Sequence, residues 1–250
     1  MKRYPKTEKY DSDWISKNWM GPNPLWLLEE LCGNLELKPG MRVLDMGCGK
    51  GLTSVFLARE YGVTVFANDL WISATNNLKR FEEAGVSGCV FPIHAEAHAL
   101  PYADGFFDAA ISIDSYQYYG TDEIYFPTVY SKLIKSGGQF GIVVPGFVKE
   151  FDRGRPDTLA ALWQPDMYTF HSGAWWRALW EKTGFVEITA CYDMESPKEV
   201  WRPWAEWCKG NFNKEFGGGD DGEDDLETKF LDADVNNDIA LVVMAARKKG

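Results

Sequence analysis

Asp45-Met46-Gly47-Cys48-Gly49-Lys50-Gly51 lies between a short apolar run, Met41–Met46, and a helix-like stretch, Leu52–Tyr61. Glycine at alternate positions lets the backbone adopt φ > 0 and approach a ligand closely, and the first N–H groups of the following helix are free to meet an anion. Three chemistries use loops of this kind. A dinucleotide fingerprint, G-x-G-x-x-G, needs glycine at position 52, which is Leu52. A phosphate loop of the Walker type needs Ser or Thr after the lysine, but Lys50 is followed by Gly51. The remaining pattern is D-x-G-x-G-x-G, and the rest of the chain has to decide what it means.

Outward from the loop, strand-like and helix-like segments alternate. Val63–Asn68, Cys89–Ile93, Phe107–Ile113 and Gln139–Val144 are short β-branched or apolar runs. Asn23-Pro24 is a helix start, an N-cap followed by proline at the first helical position, and Ile72–Glu83 is a helix closed by Gly85. Thr121–Lys135 reads as one helix, with Thr121 as N-cap and Asp122 and Glu123 in its first turn. Further on come a helical Trp175–Lys182, a strand Phe185–Cys191, a helical Glu199–Cys208 and a closing strand Asp238–Ala246. Such alternation predicts an α/β fold built of βαβ units, a doubly wound and mostly parallel sheet covered on both faces. Ligands of these sheets sit at the carboxyl ends of the strands, here just after Met46, Asn68, Ile93 and Ile113.

The segments at those ends carry a resemblance. D-x-G-x-G-x-G resembles motif I of the class I S-adenosylmethionine (SAM)-dependent methyltransferases. Asp69 ends the second strand, where a carboxylate can accept from ribose hydroxyls. Glu96-Ala97-His98-Ala99-Leu100-Pro101-Tyr102 with Phe107-Asp108, and Leu133-Ile134-Lys135-Ser136-Gly137-Gly138, resemble the "D-A-x-x-L-P-F … F-D" and "L-K-P-G-G" segments of the methyltransferase type 11 group. The resemblance implies a Rossmann-like sheet of order 3-2-1-4-5-7-6 with its last strand antiparallel, and SAM as cofactor. By position it implies that Gly47, Cys48, Gly49 and Gly51 line the methionine part of SAM, with Asp45 oriented toward its amino group. Asp69 would hold the ribose, Leu70 and Trp71 pack on the adenine, Glu96 and Ala97 bond the adenine edge, and Ile113 and Asp114 border methionine and substrate. Glu96 stands where the group usually has Asp, which lengthens that reach.

Methyl transfer from a sulfonium needs alignment and exclusion of water more than a fixed catalytic residue. His171 is a candidate base or substrate ligand, with a helix-start role as the plain alternative. Tyr116, Gln117, Tyr118 and Tyr119 follow the fourth strand, and Tyr116 and Tyr118 are taken as candidates to face the methyl group. Residues 1–22 are expected to form a lid, and 147–172 and 193–236 cover insertions, on a single domain spanning 1–250. Trp201, Trp204 and Trp207 then pack over the site or form a surface for a second copy, so a homo-oligomer stays open.

Composition bounds the rest. The chain has 250 residues, a formal net charge of −11, and 11 Trp, 11 Tyr and 15 Phe. Residues 216–235 alone hold eight acids and one lysine, so the acidity belongs mainly to one segment. The balance excludes a phosphate-binding nucleic-acid surface there, and the aromatics favour an apolar, aromatic or cationic small-molecule substrate. Five cysteines without C-x-x-C spacing exclude a disulfide framework and the common zinc patterns. With no apolar leader and no apolar stretch long enough to span a membrane, the expectation is a soluble, cytoplasmic protein. Asp232-x-Asp234-x-Asn236 starts like a calcium loop, but Asn237 and Val243 replace the needed Gly and Glu. The competing functions are a SAM-binding scaffold without transfer activity and a cyclopropane-synthase-like enzyme.

Overall fold

The computed structural model describes residues 3–216 and 225–250. Its elements in chain order are α1 (Ser12–Asn18), α2 (Pro24–Cys32), β1 (Arg42–Met46), α3 (Leu52–Tyr61), β2 (Thr64–Asp69), α4 (Ala74–Glu83), β3 (Val90–His94) and β4 (Phe107–Ile113). There follow α5 (Gln117–Gly120), a π-helical turn Phe126–Tyr130, α6 (Ser131–Leu133), β5 (Ile134–Phe147), α7 (Gly173–Glu181), β6 (Val186–Asp193), α8 (Pro197–Cys208), α9 (Phe212–Phe216), α10 (Leu226–Ala233) and β7 (Ile239–Lys248). The seven strands form one sheet in the order 3-2-1-4-5-7-6. β1 to β5 are parallel, and β7 runs antiparallel between β5 and β6. The expected fold class is the observed one.

The sheet reverses its winding between β1 and β4, which pair directly through Val43–Ala109 and Asp45–Ile111. A crevice therefore opens where the loops leaving these strands part in opposite directions. β1 reads as an unbroken apolar run because both its faces are covered; Val43, Leu44 and Met46 are all fully buried. α2 starts as the sequence indicates: Asn23 Oδ1 accepts from the Leu25 N–H at 3.1 Å, and Pro24 opens the helix.

Two segments differ from expectation. Thr121 is no N-cap but the residue that ends α5, and the predicted helix over 121–135 is reduced to the π-helical turn and α6. Pro127 has no N–H to donate, so a regular i→i−4 ladder cannot run through it. Residues 134 and 135 belong instead to β5, which is far longer than Gln139–Val144. It is long because β7 pairs with it from Gln139 to Phe147, past the point where β4 stops at Val143. Pro145 is tolerated there because only β7 flanks it.

Most of the aromatic surplus is core. Beneath one face of the sheet, Tyr116, Tyr125, Phe126, Tyr130, Phe140, Trp176 and Trp180 form one buried cluster. Trp180 stacks on Phe126 at 4.5 Å between centroids, and Tyr116 meets both Trp176 and Trp180 edge-on. On the other face Trp19, just after α1, packs edge-on against Trp204 and Trp207 of α8. The N-terminal segment and α8 are thereby packed together. Asp234 is occupied structurally, accepting from the Asp238 and Ile239 N–H groups. Glycines 217–219 and the acids Asp220, Asp221, Glu223 and Asp224 lie outside the described residues.

Candidate functional site

A cleft of about 980 Å³, open mouth included, lies at the carboxyl ends of β1, β2 and β4. Its size is at the upper end of the roughly 300–1,000 Å³ range of ligand pockets. The glycine loop forms its floor. Gly47 and Cys48 both donate their N–H groups to the Asn68 carbonyl at 2.9 Å, which pins the loop to β2. Gly47 sits at φ +70°, and a Cβ there would overlap the Ser115 hydroxyl, so any side chain at this position clashes as well as strains. Asn77 of α4 is buried and donates to the Gly49 carbonyl at 2.9 Å.

Asp69 closes the loop from the other side. Its Oδ2 accepts from the Gly49 N–H at 2.8 Å, while Oδ1 accepts from the Trp71 and Ile72 N–H groups at 2.8 Å. Three of the roughly four acceptor positions of a carboxylate are used, leaving Oδ2 one bond for a ligand in the cleft. Leu70 and Trp71 stand beside it with large exposed apolar surface, and the Trp71 and Tyr118 rings meet at 5.8 Å across the mouth.

Asp45 lies behind the loop and does not line the cleft. Its Oδ2 accepts from the Thr53 and Ser54 hydroxyls at 2.7 and 2.6 Å, and its buried Oδ1 has no partner. Burial pushes its pKa up to about 6, against the two hydroxyl bonds and helped by the nearby Asp69 charge. Any contact with a ligand therefore passes through an intermediary, not directly.

Of the other sequence candidates, Gly47, Cys48, Gly49, Glu96, Ala97, Ile113, Asp114 and Tyr118 line the cleft. Gly51 does not; it packs against Phe81 and opens α3 at φ +84°. Glu96 is turned toward His98, accepting from its ring at 2.7 Å and its N–H at 2.8 Å. Burial works to raise the Glu96 pKa, but the His98 bonds outweigh it and hold the carboxyl below its usual range.

Two of the catalytic candidates, Tyr116 and His171, do not line the cleft. Tyr116 is fully buried in the aromatic cluster, and its hydroxyl is shut away from the cleft among Tyr125, Tyr130, Trp176 and Trp180. Tyr119, not Tyr116, reaches the cleft, its hydroxyl shared with Ser112 at 2.9 Å. The two rings stand three residues apart on one helical turn and touch at 5.4 Å between centroids, Tyr116 on the core side and Tyr119 on the cleft side. His171 lies away from the cleft, directly before Ser172, which caps α7 by accepting from the Trp175 N–H. Its ring stacks on Trp175 at 3.7 Å and its Nδ1 meets Glu150 at 3.0 Å. This is the helix-start role.

Asn18, Met20, Gly21, Pro22 and Pro24 supply a wall that no motif marked. Lys50, also unmarked, is buried; its Nζ bonds the Lys17 carbonyl at 3.4 Å and the Glu215 carboxylate. Among the described residues no group of His, Cys, Asp and Glu could hold a metal ion.

Residues 43–138 match the family described as "Methyltransferase domain". Botryococcene C-methyltransferase of Botryococcus braunii is 29% identical over 198 residues, covering 74% of this chain and 50% of that protein. Sarcosine/dimethylglycine N-methyltransferase of Halorhodospira halochloris is 29% identical over 155 residues, covering 62% and 54%. The chain spans about half the length of the curated relatives it matches. The solved structure of geranyl diphosphate C-methyltransferase from Streptomyces coelicolor A3(2) shares the fold, with a TM-score of 0.66 at 18% identity, covering 88% of this chain and 77% of that one. Residues 43–138 thus carry a methyltransferase domain, and the glycine loop, the strand order and these likenesses make the chain similar to the class I SAM-dependent methyltransferases.

Proposed function

We propose that the chain transfers a methyl group from SAM to a small-molecule acceptor. The observation that carries this reading is the convergence of the glycine loop, Asp69, the Glu96-Ala97 segment and Asp114 on one cleft at the switch point. The residues present fit SAM. An unpartnered buried Asp45 Oδ1 waits behind the loop, Asp69 keeps a free acceptor position, and Leu70 and Trp71 offer apolar faces. Asp69 would hold the ribose hydroxyls, Leu70 and Trp71 the adenine, and the Gly47–Gly49 backbone the methionine end. When bound, SAM supplies a methyl group already activated by its sulfonium.

The chain's own task is then to seat the acceptor and exclude water. Met20, Gly21 and Pro22 cover the cleft beside Asp114, and Tyr118 and Tyr119 form the side where an acceptor would meet the methyl. The described parts of the 1–22 and 193–236 segments, residues 3–22, 193–216 and 225–236, act as one cover, a reading supported by the Trp19 contacts to Trp204 and Trp207. The 147–172 segment is assigned to outer packing, since none of it lines the cleft. Among the described residues no helix is long and apolar enough to cross a membrane. We place the protein in the cytoplasm, supported by five free cysteines. The acidic balance supports small molecules over nucleic acids as partners.

The test is formation of S-adenosylhomocysteine (SAH) from SAM with a panel of amines, thiols, phenols and alkenes. Acceptor-dependent SAH is the expected result. SAH binding with no turnover on any acceptor class would leave a scaffold, and no binding at all would remove the proposal. His171→Ala is expected to keep turnover within about twofold and leave the pH–rate profile unmoved, because the ring has no path to the cleft. A lost limb in that profile would restore His171 as base.

A further inference from the structure

We infer that Lys50 is a positioning residue for methyl transfer: it clasps the glycine loop to α1 and α9, and so sets how long the cofactor stays beneath the cover. This deepens the methyltransferase reading and rests on it.

Lys50 stands inside the loop between Gly49 and Gly51, both in the left-handed region at φ +54° and +84°. These two turns fix the direction in which its side chain leaves the loop. Among the described residues that line the cleft, Lys50 is the one Lys or Arg. Its side chain is only 7% exposed, and its charge is spent on protein groups. Nζ donates to the Lys17 carbonyl at 3.4 Å, at the C-terminal end of α1, and to the Glu215 carboxylate of α9. The last carbonyls of a helix have no partner within it and favour a cation. The Phe216 ring lies 5.5 Å from the same Nζ. One ammonium group thus joins three stretches of chain that are far apart in sequence.

A separate set of contacts packs the two segments that Lys50 reaches against each other. Trp19, just after α1, meets Trp204 and Trp207 edge-on, and Phe216 of α9 meets Trp204 edge-on at 6.4 Å. Met20 then lies on the loop itself: a Cβ on Gly49 would come within 3.1 Å of its sulfur. Gly49 is the residue whose N–H is held by Asp69, in the stretch assigned to the methionine end of SAM. The cover therefore rests on the backbone that would hold the cofactor, and Lys50 fastens the two together beside that contact.

The two halves of the clasp are unequal. Lys50 is buried with the loop, whereas the Glu215 side chain is 45% exposed. When the cover parts from the loop, Glu215 can pass directly to water, and the pair is open to screening by salt. Such a contact suits a cover that must separate to admit SAM and release its product, and must close between to keep water from the reacting groups. Lys50 touches no reacting atom in this scheme; it acts through the cover that it holds.

The test is the rate at which the full chain releases labelled SAH into an excess of unlabelled SAH. Lys50→Met should speed release at least about tenfold. Glu215→Gln, which keeps an acceptor but loses the charge, should speed it about threefold. The double variant should match Lys50→Met within about twofold, because no pair is left to break. Raising salt from about 0.05 M to about 1 M should speed wild-type release about threefold and leave Lys50→Met unmoved. A merely structural lysine would give no salt response that vanishes with its charge. A wild-type release rate in Lys50→Met overturns the inference, as does a double variant as fast as the product of the two singles, or a salt response that persists in Lys50→Met. Where Lys50→Met fails to fold, Glu215→Gln and the wild-type salt response decide, and the wild-type rate in the first or a flat response in the second overturns it. Failure of SAH to bind the wild type would instead strike the methyltransferase reading. The clasp is then read from hydrogen exchange of the α1 amides in the free chain, which Glu215→Gln should speed about threefold; unchanged exchange overturns it.

Discussion

Asp69→Ala is expected to weaken SAH binding at least about a hundredfold, or about 3 kcal/mol. The size follows from the double role of the carboxylate. It accepts from the Gly49, Trp71 and Ile72 N–H groups at 2.8 Å, and it alone offers the cleft an acidic acceptor at the end of β2. Alanine therefore removes a bond to the ligand and also frees three backbone donors that shape the loop and the turn beside it. Asp69→Asn, which retains one acceptor oxygen, should lose less. Calorimetric titration of SAH into the three proteins measures this directly. An Asp69→Ala affinity within about threefold of wild type would show that Asp69 shapes the turn without holding the ligand.

Asp45→Asn should make the protein more stable, not less, above about pH 6. The folded pKa of Asp45 is pushed from the ordinary 3.8 up to about 6, chiefly by burial. A raised carboxyl pKa means that the folded state binds the proton more tightly than the unfolded state. Wild-type stability therefore falls as pH rises through the window from 3.8 to about 6, and above it the full cost is present. Asparagine carries no charge to bury and its carbonyl can still accept from Thr53 and Ser54. The expected gain is near zero at pH 4, grows through the window, and levels off at about 1–3 kcal/mol by pH 7. Urea denaturation at pH 4, 5.5 and 7 measures it. A variant less stable than wild type at pH 7 would mean that the two hydroxyl bonds outweigh the cost of burial. SAH affinity should fall in the same variant, since the unpartnered Oδ1 is then replaced by a donor. Stability and binding would move in opposite directions at one atom.

How much of this was legible follows from where each signal resides. The glycine loop, Asp69 and the strand ends were readable because backbone conformation and ligand chemistry restrict the residue types there. The sheet order followed from the resemblance, and the alternation of apolar runs independently required a parallel sheet. The helix expected over 121–135 does not form: Thr121, Asp122 and Glu123 carry a helix-start pattern, but Pro127 interrupts the ladder that would follow it. Tyr116 and Tyr119 cannot be told apart from sequence, since they stand three residues apart with their rings 5.4 Å from each other, and only the packing around them sends one to the core and the other to the cleft. The wall at Asn18–Pro22, the Asn77 brace and the buried Lys50 carry no local pattern. They are set by which distant segments meet, as when Trp19 finds Trp204 and Trp207.

The rim of the cleft also gives the molecule an optical property. Of its 11 tryptophans, Trp71 is the one left exposed, at 69%. Buried indoles emit at shorter wavelength and are shielded from iodide or acrylamide; five of the others are buried and five half-buried, so Trp71 is the ring most open to quenching, and it stands at the cleft. Filling the cleft covers that ring. A spectral shift and a drop in quenching would then report occupancy without any attached dye, and Trp71→Phe would silence the signal while the other ten continue to report on folding.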